Sequence, residues 1–550
     1  MKLVYKNIFV FIIFLVLGAI LSIEHQQGTS WDLLNYHLYI PWSFFNDRVS
    51  IDLAPCGIHS YFNPIGMIPY YLMVKYLNDF PIVVAILQGW VWSILGFLVY
   101  LIARKLIRTE KENLNIFLSF ISSLIGITAT VVYMQIGMGT IGLSSFIPIL
   151  IALYLLLKNE FSKKILFLVG VFIGVGFGLK FTNGIYVIGT LATVFSSLIF
   201  NQKLKLKDVF VKSLFYCIGA LFGFLLIDGY WMFLLYSEFK NPVFPLFNNV
   251  FKSDLYPQIG YHDDRYVIKN VLDLLVLPVK NLYQIIWNQE QYEKYIEDVV
   301  THYSIYDARL GLAYISSILM LLISKISKVN IKYICLEKAI ILVYFFLFSY
   351  FIWAYQFKIV RYFAGSLILS GLIIVILFIV IAEFSKRYKV CIASFLAITL
   401  FIFFSMHIPN LGVANIPFYY QRMHFGSKVL DVPNLNFKDD SVVVFAGKPM
   451  SYIALNQNKN VKYIGFYIWA DGKENLVPTD KYYEKAYEIM NNASKVYLIY
   501  STHMPEDIVQ NINEKLKSEL KLKGNCSELK PNVINQFNHT EDVFNITFCE

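Results

Sequence analysis

The segment SWDLLNYHLYIPW, residues 30–42, combines a carboxylate, an amide, a histidine and large aromatic rings directly after the first long apolar stretch. On an α-helix, side chains three, four and seven positions apart lie on one face. The residues that share such a face are Asp32, Asn35, Tyr36 and Tyr39. A carboxylate at the edge of an apolar segment predicts a reaction centre at a membrane boundary. His37 lies five positions after Asp32 and would point away from it unless the helix is broken there.

The same segment also has a purely structural explanation. Ser30 or Asp32 could cap an interfacial helix through a side-chain oxygen. The aromatic rings would then form a belt at the membrane surface. Both explanations stay open on this segment alone.

A second cluster of polar residues follows in DLAPCGIHSYFNPIGMIPYY, residues 52–71. Prolines and a glycine here predict a fixed, non-helical path. The metal-binding pattern HExxH is absent. A lone histidine such as His59 is more often an ordinary hydrogen-bonded residue than a ligand. The candidate binding residues of this stretch are Asp52, His59, Tyr61 and Asn63.

Lys180 and Asn183 lie in GVGFGLKFTNGIY, between two apolar runs that are barely separated. A lysine near the hydrocarbon costs about 2.5–3.5 kcal/mol unless it reaches the interface or finds a partner. The glycines do not form the phosphate-binding pattern GxxxxGK[ST]. Lys180 therefore either faces an anion or extends to the membrane surface.

Lys358 and Arg361 lie three residues apart in AYQFKIVRYF, which is expected to be a very short outer connection. They break the pattern in which basic residues collect on the inner side. A guanidinium offers a forked set of donors that suits phosphate oxygens. The alternative is a structural ion pair with an acid, for which the candidates are Asp32, Asp228 and Glu238.

The elements that position these residues are membrane helices. The chain has 550 residues, of which 57% are hydrophobic and 15% are charged, and its mean hydropathy is +0.55. Recurrent apolar runs of about 18 or more residues indicate transmembrane helices. The formal net charge of +9 is spread in small clusters between these runs, so we expect no nucleic acid partner. The sequence predicts an α-helical polytopic membrane protein.

Basic clusters orient the helices by the positive-inside rule. This gives about eleven transmembrane helices, the first of them uncleaved and with its N-terminus in the cytoplasm. The outer side then carries two long loops, at about 24–81 and 240–307, and the C-terminal tail. A transmembrane domain is predicted for residues 1–425 and a small extracytoplasmic α/β domain for 426–550. The basic clusters lie at 104–111, 158–164, 203–207, 325–338 and 386–389.

The tail contains three short β-type runs, SVVVFAG, VKYIGF and KVYLIY. Helical stretches are predicted near Tyr482 to Asn491 and Pro505 to Leu522. Cys526 and Cys549 would meet an oxidising exterior, where they could pair or stay free.

Taken together, these motifs resemble the GT-C glycosyltransferases. WDLLNYHLYIPW, DLAP, HSYFNP, GLKFTN and NPVFPLFNNVFKS are similar to segments of uncharacterised bacterial membrane proteins assigned to that superfamily. The similarity covers about residues 1–420. It implies a bacterial inner-membrane enzyme that moves a sugar from a polyprenyl-phosphate donor to an extracytoplasmic glycan, lipid or protein, with inversion.

The resemblance also assigns roles to single residues. Asp32, or less well Asp52, matches the acid proposed as base or metal-positioning group. Trp31 and Leu33 flank Asp32, so the adjacent acid pair of several branches is absent and dependence on Mg or Mn stays open. The donor phosphate is assigned to Arg361, Lys358 and Lys180. The full set of expected substrate-binding residues is Asn35, Tyr36, Asp52, His59, Tyr61, Asn63, Lys180, Asn183, Lys358 and Arg361.

Two other functions compete with this one. A lipid-linked glycan flippase or transporter would need charges near the bilayer midplane and repeated halves, and neither is clear in the sequence. A polysaccharide polymerase or ligase would depend on outer arginines and a histidine rather than on Asp32.

Overall fold

The computed structural model describes most of the chain. The described residues are 2–158, 161–260, 270–287, 307–326, 331–406, 421–432, 434–446, 449–465, 479–501, 527–533 and 543–549.

Eighteen α-helices lie in these ranges. Ten precede residue 240: α1 Lys2–Glu24, α2 Tyr39–Phe45, α3 Ile68–Tyr76, α4 Pro81–Leu106, α5 Glu112–Ile127, α6 Thr130–Tyr133, α7 Ile147–Leu156, α8 Lys163–Leu179, α9 Gly184–Ser196 and α10 Leu206–Phe239. Eight follow: α11 Asn248–Phe251, α12 Val271–Trp287, α13 Arg309–Ile326, α14 Leu336–Gln356, α15 Val360–Leu367, α16 Ser370–Ser385, α17 Tyr388–Phe404 and α18 Asp480–Asn491.

Five helical segments of the described residues are long and apolar enough to cross a membrane, which confirms a polytopic membrane protein. They are Val4–Glu24, Pro81–Leu106, Phe181–Asn201, Leu206–Phe239 and Leu336–Gln356. A sixth span forms if α15 and α16, which bend by 44° at their junction, count as one. Shorter apolar helices at Glu112–Ile127, Ser144–Leu156 and Tyr388–Phe404 accompany them. The count of about eleven spans stays a prediction.

Glycines allow α8 and α10 to pack closely. A Cβ on Gly170 would come within 2.1 Å of the Tyr216 carbonyl oxygen, and one on Gly174 within 2.0 Å of the Ala220 carbonyl oxygen. Small residues at such contacts let two membrane helices approach backbone to backbone. The glycines before Lys180 therefore serve helix packing and fix where α8 ends.

α10 extends beyond the hydrocarbon layer. Its 34 residues span about 50 Å, against a hydrocarbon core of roughly 30 Å. Near its C-terminal end, Trp231 Nε1 donates to the Tyr61 carbonyl oxygen at 2.9 Å. α10 therefore braces the loop that follows α1.

The tail forms a five-stranded sheet in the order β4–β3–β5–β7–β6. β3 is parallel to β4 and β5, whereas β7 is antiparallel to β5 and β6. The sequence predicted β3, β4, β5 and α18 correctly, while the predicted helix at Pro505 to Leu522 and Cys526 lie outside the described residues. The strands are β3 Val442–Phe445, β4 Lys462–Gly465, β5 Val496–Ser501, β6 Ser527–Val533 and β7 Val543–Cys549.

The loop after α1 and the tail form one folded unit. Leu53 pairs with Ile464 at the β4 edge of the sheet, and Leu53 N donates to the Tyr463 carbonyl oxygen at 2.9 Å. A second pairing joins β1 (Gln27–Gly28) to β2 (Arg422–Met423) in antiparallel register. The domain boundary at residue 426 stays a prediction. Residues before and after it pack together in one hydrophobic core.

The opposite end of the helix bundle carries basic side chains. Arg104 pairs with Glu112, and Lys332 pairs with Glu110. Arg108 N also donates to the Tyr333 carbonyl oxygen at 2.8 Å, which ties two connections of that end together. The bundle therefore has a basic end and an end that carries the sheet.

Candidate active site at the sheet-bearing end

A π-helix replaces the expected α-helix at Leu33–His37. Leu38 N donates to the Leu33 carbonyl oxygen, five positions earlier, at 3.3 Å. Because a π-turn holds about one more residue than an α-turn, residues five apart approach one face. The α-helical face expected for Asp32, Asn35, Tyr36 and Tyr39 is corrected accordingly, and the reason for placing His37 away from Asp32 no longer holds.

Asp32 and Arg361 meet in an ion pair. Arg361 Nη1 lies 3.2 Å from Asp32 Oδ2, and the two side chains are 18% and 17% exposed. Arg361 lies in the first turn of α15, behind a connection fixed by Trp353 Nε1, which donates to the Ile359 carbonyl oxygen at 2.7 Å. The expected base and the expected phosphate ligand therefore meet in an ion pair, which is the structural alternative that the sequence offered for Arg361, and Asp32 is its acid.

Lys180 completes this site through the ring of Tyr362. Lys180 Nζ lies 5.5 Å from the ring centroid, and Arg361 Cζ lies 5.3 Å from it. Both contacts are in the range of cation–π interactions. Burial lowers the pKa of Lys180 to about 8, Arg361 lowers it as well, and Asp32 opposes the shift. We call Asp32, Lys180, Arg361 and Tyr362 the ion-pair site.

Asn183 acts on this site through Lys180. Its Nδ2 donates to the Gly176 carbonyl oxygen at 2.9 Å, which closes the turn between α8 and α9. Lys180 N donates to the Phe177 carbonyl oxygen at 3.1 Å within the same turn. Asn183 is thus a positioning residue for Lys180.

An aromatic wall lies beside the ion-pair site. We define it as Trp31, Tyr36, His37 and His59. The Tyr36 and His59 rings stack with centroids 4.8 Å apart, and the Tyr36 and His37 rings are 4.5 Å apart. Trp31 meets His59 edge-on at 5.6 Å. Two of the expected binding residues, Tyr36 and His59, therefore face each other here.

Trp31 and His37 are the two members of this wall that the sequence did not identify as binding residues, and His37 is the more deeply buried. It is 3% exposed. Burial lowers the pKa of its imidazole well below the usual value, and three nearby groups lower it further. These groups are Lys180, His59 and Arg361, so His37 adjoins the ion-pair site. Tyr362 was missed in the same way, because aromatic residues recur throughout the sequence.

Asp52 lies away from the ion-pair site in what we call the Asp52 anchor. The Arg48 guanidinium donates to both carboxylate oxygens, at 2.9 and 2.5 Å. Tyr39 Oη donates at 2.6 Å and Tyr463 N at 2.9 Å. Four donors therefore hold this buried carboxylate and join the first loop to β4.

Asn35 and Lys358 are both buried. Asn35 Nδ2 donates to the Cys56 carbonyl oxygen at 3.4 Å, and the Asn35 carbonyl oxygen accepts from Ser451 Oγ. Lys358 lies two residues after the end of α14 in the left-handed conformation, with φ of 53°, and its N–H donates to the Trp353 carbonyl oxygen at 3.0 Å. The contacts of Asn35 hold the backbone next to Tyr36 of the aromatic wall. The hydrogen bond of the Lys358 N–H sets the turn that leads to Arg361.

Tyr61 and Asn63 contact α10 and the segment after it. The Tyr61 ring packs edge-on against Phe239 and Phe244, at 4.9 and 4.8 Å. Asn63 Nδ2 donates to the Asp228 carboxylate and, at 3.1 Å, to the Ile227 carbonyl oxygen. The structure therefore brings together Asp32, Lys180 and Arg361 with Tyr36 and His59, and it places Tyr61 and Asn63 at the contact with α10.

Within the described ranges, no three His, Cys, Asp or Glu side chains come together as a group that could hold a metal ion. Dependence on Mg or Mn stays open.

No protein-family model matches the sequence, and no curated protein is significantly similar to it. Among solved structures, the crystal structure of ArnT from Cupriavidus metallidurans bound to undecaprenyl phosphate is similar to this chain, with a TM-score of 0.42 and 10% sequence identity. The superposition covers 98% of this chain and 97% of that chain. A similarity of this size leaves the function to be inferred from the site residues.

Proposed function

We propose that the chain is a membrane glycosyltransferase of the GT-C type. It moves a sugar from a polyprenyl-phosphate donor to an extracytoplasmic glycan, lipid or protein. The observation that carries the proposal is the 3.2 Å contact between Asp32 and Arg361. A proton acceptor and a phosphate ligand thereby occupy one partly exposed site at the end of a membrane helix bundle.

The surplus charge of the ion-pair site suits a lipid phosphate. Arg361 and Lys180 supply two cations, whereas Asp32 supplies one carboxylate. Charge-assisted hydrogen bonds from such cations to phosphate oxygens are short and strong. Lys358, three residues before Arg361, is assigned to the same phosphate. The lipid tail of the donor then stays in the bilayer while its phosphate reaches this site.

Asp32 acts as the base in this scheme. When the donor phosphate binds, Arg361 turns from Asp32 to the phosphate, and the carboxylate becomes a free proton acceptor. Asp32 takes the proton of the acceptor hydroxyl as its oxygen attacks the anomeric carbon, and the bond from that carbon to the phosphate oxygen breaks. Arg361 and Lys180 stabilise the negative charge that grows on the departing phosphate. Direct attack inverts the anomeric configuration.

The aromatic wall holds the sugar, with the Tyr36 ring as the stacking surface. Asn35 supports this wall, and Asn183 positions Lys180. Asp52, Tyr61 and Asn63 hold the loop that carries the site. The basic end of the bundle supports an orientation with that end in the cytoplasm, so that the sheet and the site lie outside, in the inner membrane of a bacterium.

Sugar transfer by the purified full-length protein tests the base assignment. Asp32→Asn keeps the shape of the side chain and should lower transfer from undecaprenyl-phosphate sugars by about 10²–10⁴-fold. Asp254→Asn is a matched control, because Asp254 is an exposed acid that pairs with Lys481 at 2.5 Å. Wild-type transfer by Asp32→Asn would refute the assignment, and movement of the sugar lipid across vesicles without transfer would favour a flippase.

A polysaccharide polymerase or ligase is the second candidate. The position of His37 and His59 beside Arg361 favours it, because that function depends on an arginine and a histidine. It would act on a diphosphate-linked glycan, and Asp32→Asn would leave it active. Parallel assays with undecaprenyl-phosphate and undecaprenyl-diphosphate sugars therefore separate the two candidates.

A further inference from the structure

His37 has a position that the transfer reaction as proposed does not use. It ends the π-helix Leu33–His37, and the Tyr36 ring packs against its ring at 4.5 Å. Its side chain lies within reach of the charges of Lys180 and Arg361. A π-turn interrupts regular helix geometry and often occurs at a functional site.

One ring nitrogen of His37 has an unmet hydrogen bond. Nδ1 is buried, and no atom of the described residues bonds to it. A buried polar atom without a partner is unfavourable, and native proteins rarely keep one without a reason. The ring is next to cations, so it stays neutral and offers one donor and one acceptor nitrogen. A neutral imidazole of this kind fits a ligand group that can both donate and accept, such as a hydroxyl.

We propose that His37 is a specificity-determining residue whose uncharged imidazole hydrogen-bonds a hydroxyl of the sugar that the donor phosphate carries. The inference rests on the proposed function and names the part of the donor that His37 meets. Lys180 and Arg361 hold the phosphate, and the sugar ring begins one oxygen away from it. The neighbouring aromatic faces of Tyr36 and Trp31 suit the apolar face of a sugar ring.

A neutral histidine selects among sugars better than a cation does. Of two sugars that differ at one hydroxyl, only one can form the hydrogen bond with Nδ1 of His37. The other sugar leaves this buried nitrogen unpaired and should bind more weakly. Lys180 and Arg361 hold the phosphate alike for every donor, so they add affinity without discrimination. The choice of sugar then depends on His37 and the affinity for lipid phosphate depends on Arg361.

Binding to the purified full-length protein in detergent tests this division. The probes are undecaprenyl phosphate and its glucose, galactose, mannose and arabinose conjugates. In wild type, one or more conjugates should bind at least about tenfold more tightly than the others. His37→Phe should cut this discrimination to about twofold and leave the affinity for undecaprenyl phosphate within about twofold of wild type. His37→Asn, whose amide can replace Nδ1, should keep most of the discrimination.

His25→Phe is the matched control. His25 is a histidine of similar burial, 1% exposed, whose Nδ1 lies 2.7 Å from the Leu21 carbonyl oxygen. Its Nε2 is also buried without a hydrogen-bond partner among the described residues, but it lies beside Tyr133, away from the ion-pair site. It should leave discrimination unchanged, and thermal unfolding checks that each variant is folded. If a variant unfolds, His37→Asn alone decides the matter: kept discrimination supports the inference, and lost discrimination overturns it.

The outcomes separate this inference from the function on which it rests. Equal wild-type affinity for all four conjugates, or unchanged discrimination in folded His37→Phe, overturns the role of His37 while undecaprenyl phosphate binding still supports the phosphate site. If His37→Phe weakens binding of undecaprenyl phosphate as much as binding of its sugar conjugates, His37 is a phosphate ligand. That result also overturns the inference. If wild type binds no undecaprenyl phosphate, the proposed function itself fails.

Discussion

Asp32 and Asp52 are both carboxylates of the first outer loop, yet their surroundings differ. The Asp52 side chain is 2% exposed and accepts hydrogen bonds from the Arg48 guanidinium, Tyr39 and the Tyr463 backbone. Asp32 is 17% exposed, and its ion pair with Arg361 is longer, at 3.2 Å against 2.5 Å for Asp52 and Arg48.

The difference teaches which acid is free to take part in chemistry. A carboxylate whose lone pairs are all engaged by fixed donors stabilises structure and cannot accept a proton from a substrate without breaking those bonds. A carboxylate held by one partly exposed arginine can exchange that partner for another. The resemblance admitted both acids as the base, and their donors now favour Asp32.

The largest expected effect is on folding and falls on Asp52. Asp52→Asn leaves the buried Arg48 charge without its partner and should lower the free energy of unfolding by about 3–5 kcal/mol. Asp32→Asn should lower it by less than about 1 kcal/mol, because that pair is partly exposed to solvent. Thermal and denaturant unfolding in detergent measures both. Equal losses in the two variants would end the distinction between anchor and site.

The second effect concerns binding and falls on Arg361. Arg361→Met should weaken undecaprenyl phosphate binding by roughly 10- to 100-fold, since a hydrogen bond to a charged group contributes about 1.5–3 kcal/mol. Lys481→Met removes one positive charge from an exposed pair with Asp254 and serves as the control. Calorimetry or a fluorescent lipid competitor measures the affinities. An equal loss in both variants would show that net charge, rather than the site, attracts the lipid.

The sequence predicted the local features of the molecule better than its distant contacts. The apolar runs predicted the membrane helices, and the β-type runs predicted β3, β4 and β5. The pair of Asp32 with Arg361 was one of several alternatives, because the two residues are 329 positions apart. The role of Asp52 was accessible to the sequence only in part. Arg48, which donates to it, lies four positions before it, whereas Tyr463 N, which joins it to β4, lies 411 positions away.

His37 was missed for a different reason. Its position depends on one extra residue in a single helical turn, and the periodicity of an α-helix excludes it from the face of Asp32. A π-turn has no clear sequence signature, so only the backbone path reveals the wall formed with His59.

The third effect is a pH dependence of lipid binding, and it falls on the ion-pair site. Lys180 has a pKa near 8, below the ordinary value of about 10.4, so its ammonium loses its proton as the pH rises through 8. Affinity for undecaprenyl phosphate should therefore fall by about tenfold between pH 7.5 and 9.5. The phosphate itself does not titrate there, because its second pKa is about 6.

Lys180→Arg tests the origin of that fall, since a guanidinium keeps its charge across this range. The variant should bind undecaprenyl phosphate with little change from pH 7.5 to 9.5. A fall of the same size in wild type and Lys180→Arg would assign the titration to another group.

The smallest effect, on lipid binding by Asp32→Asn, best distinguishes Asp32 from Asp52. In the resting protein Asp32 competes with a lipid phosphate for Arg361, so Asp32→Asn should release the guanidinium and remove a repelling charge. Affinity for undecaprenyl phosphate should then rise by about twofold to fivefold, the size expected for an exposed pair of about 0.2–1 kcal/mol. The same variant should lose transfer, so binding and catalysis would move in opposite directions. An acid that only anchors the fold cannot produce this pattern, and unchanged or weaker lipid binding by folded Asp32→Asn would mean that Arg361 does not leave Asp32 for the phosphate.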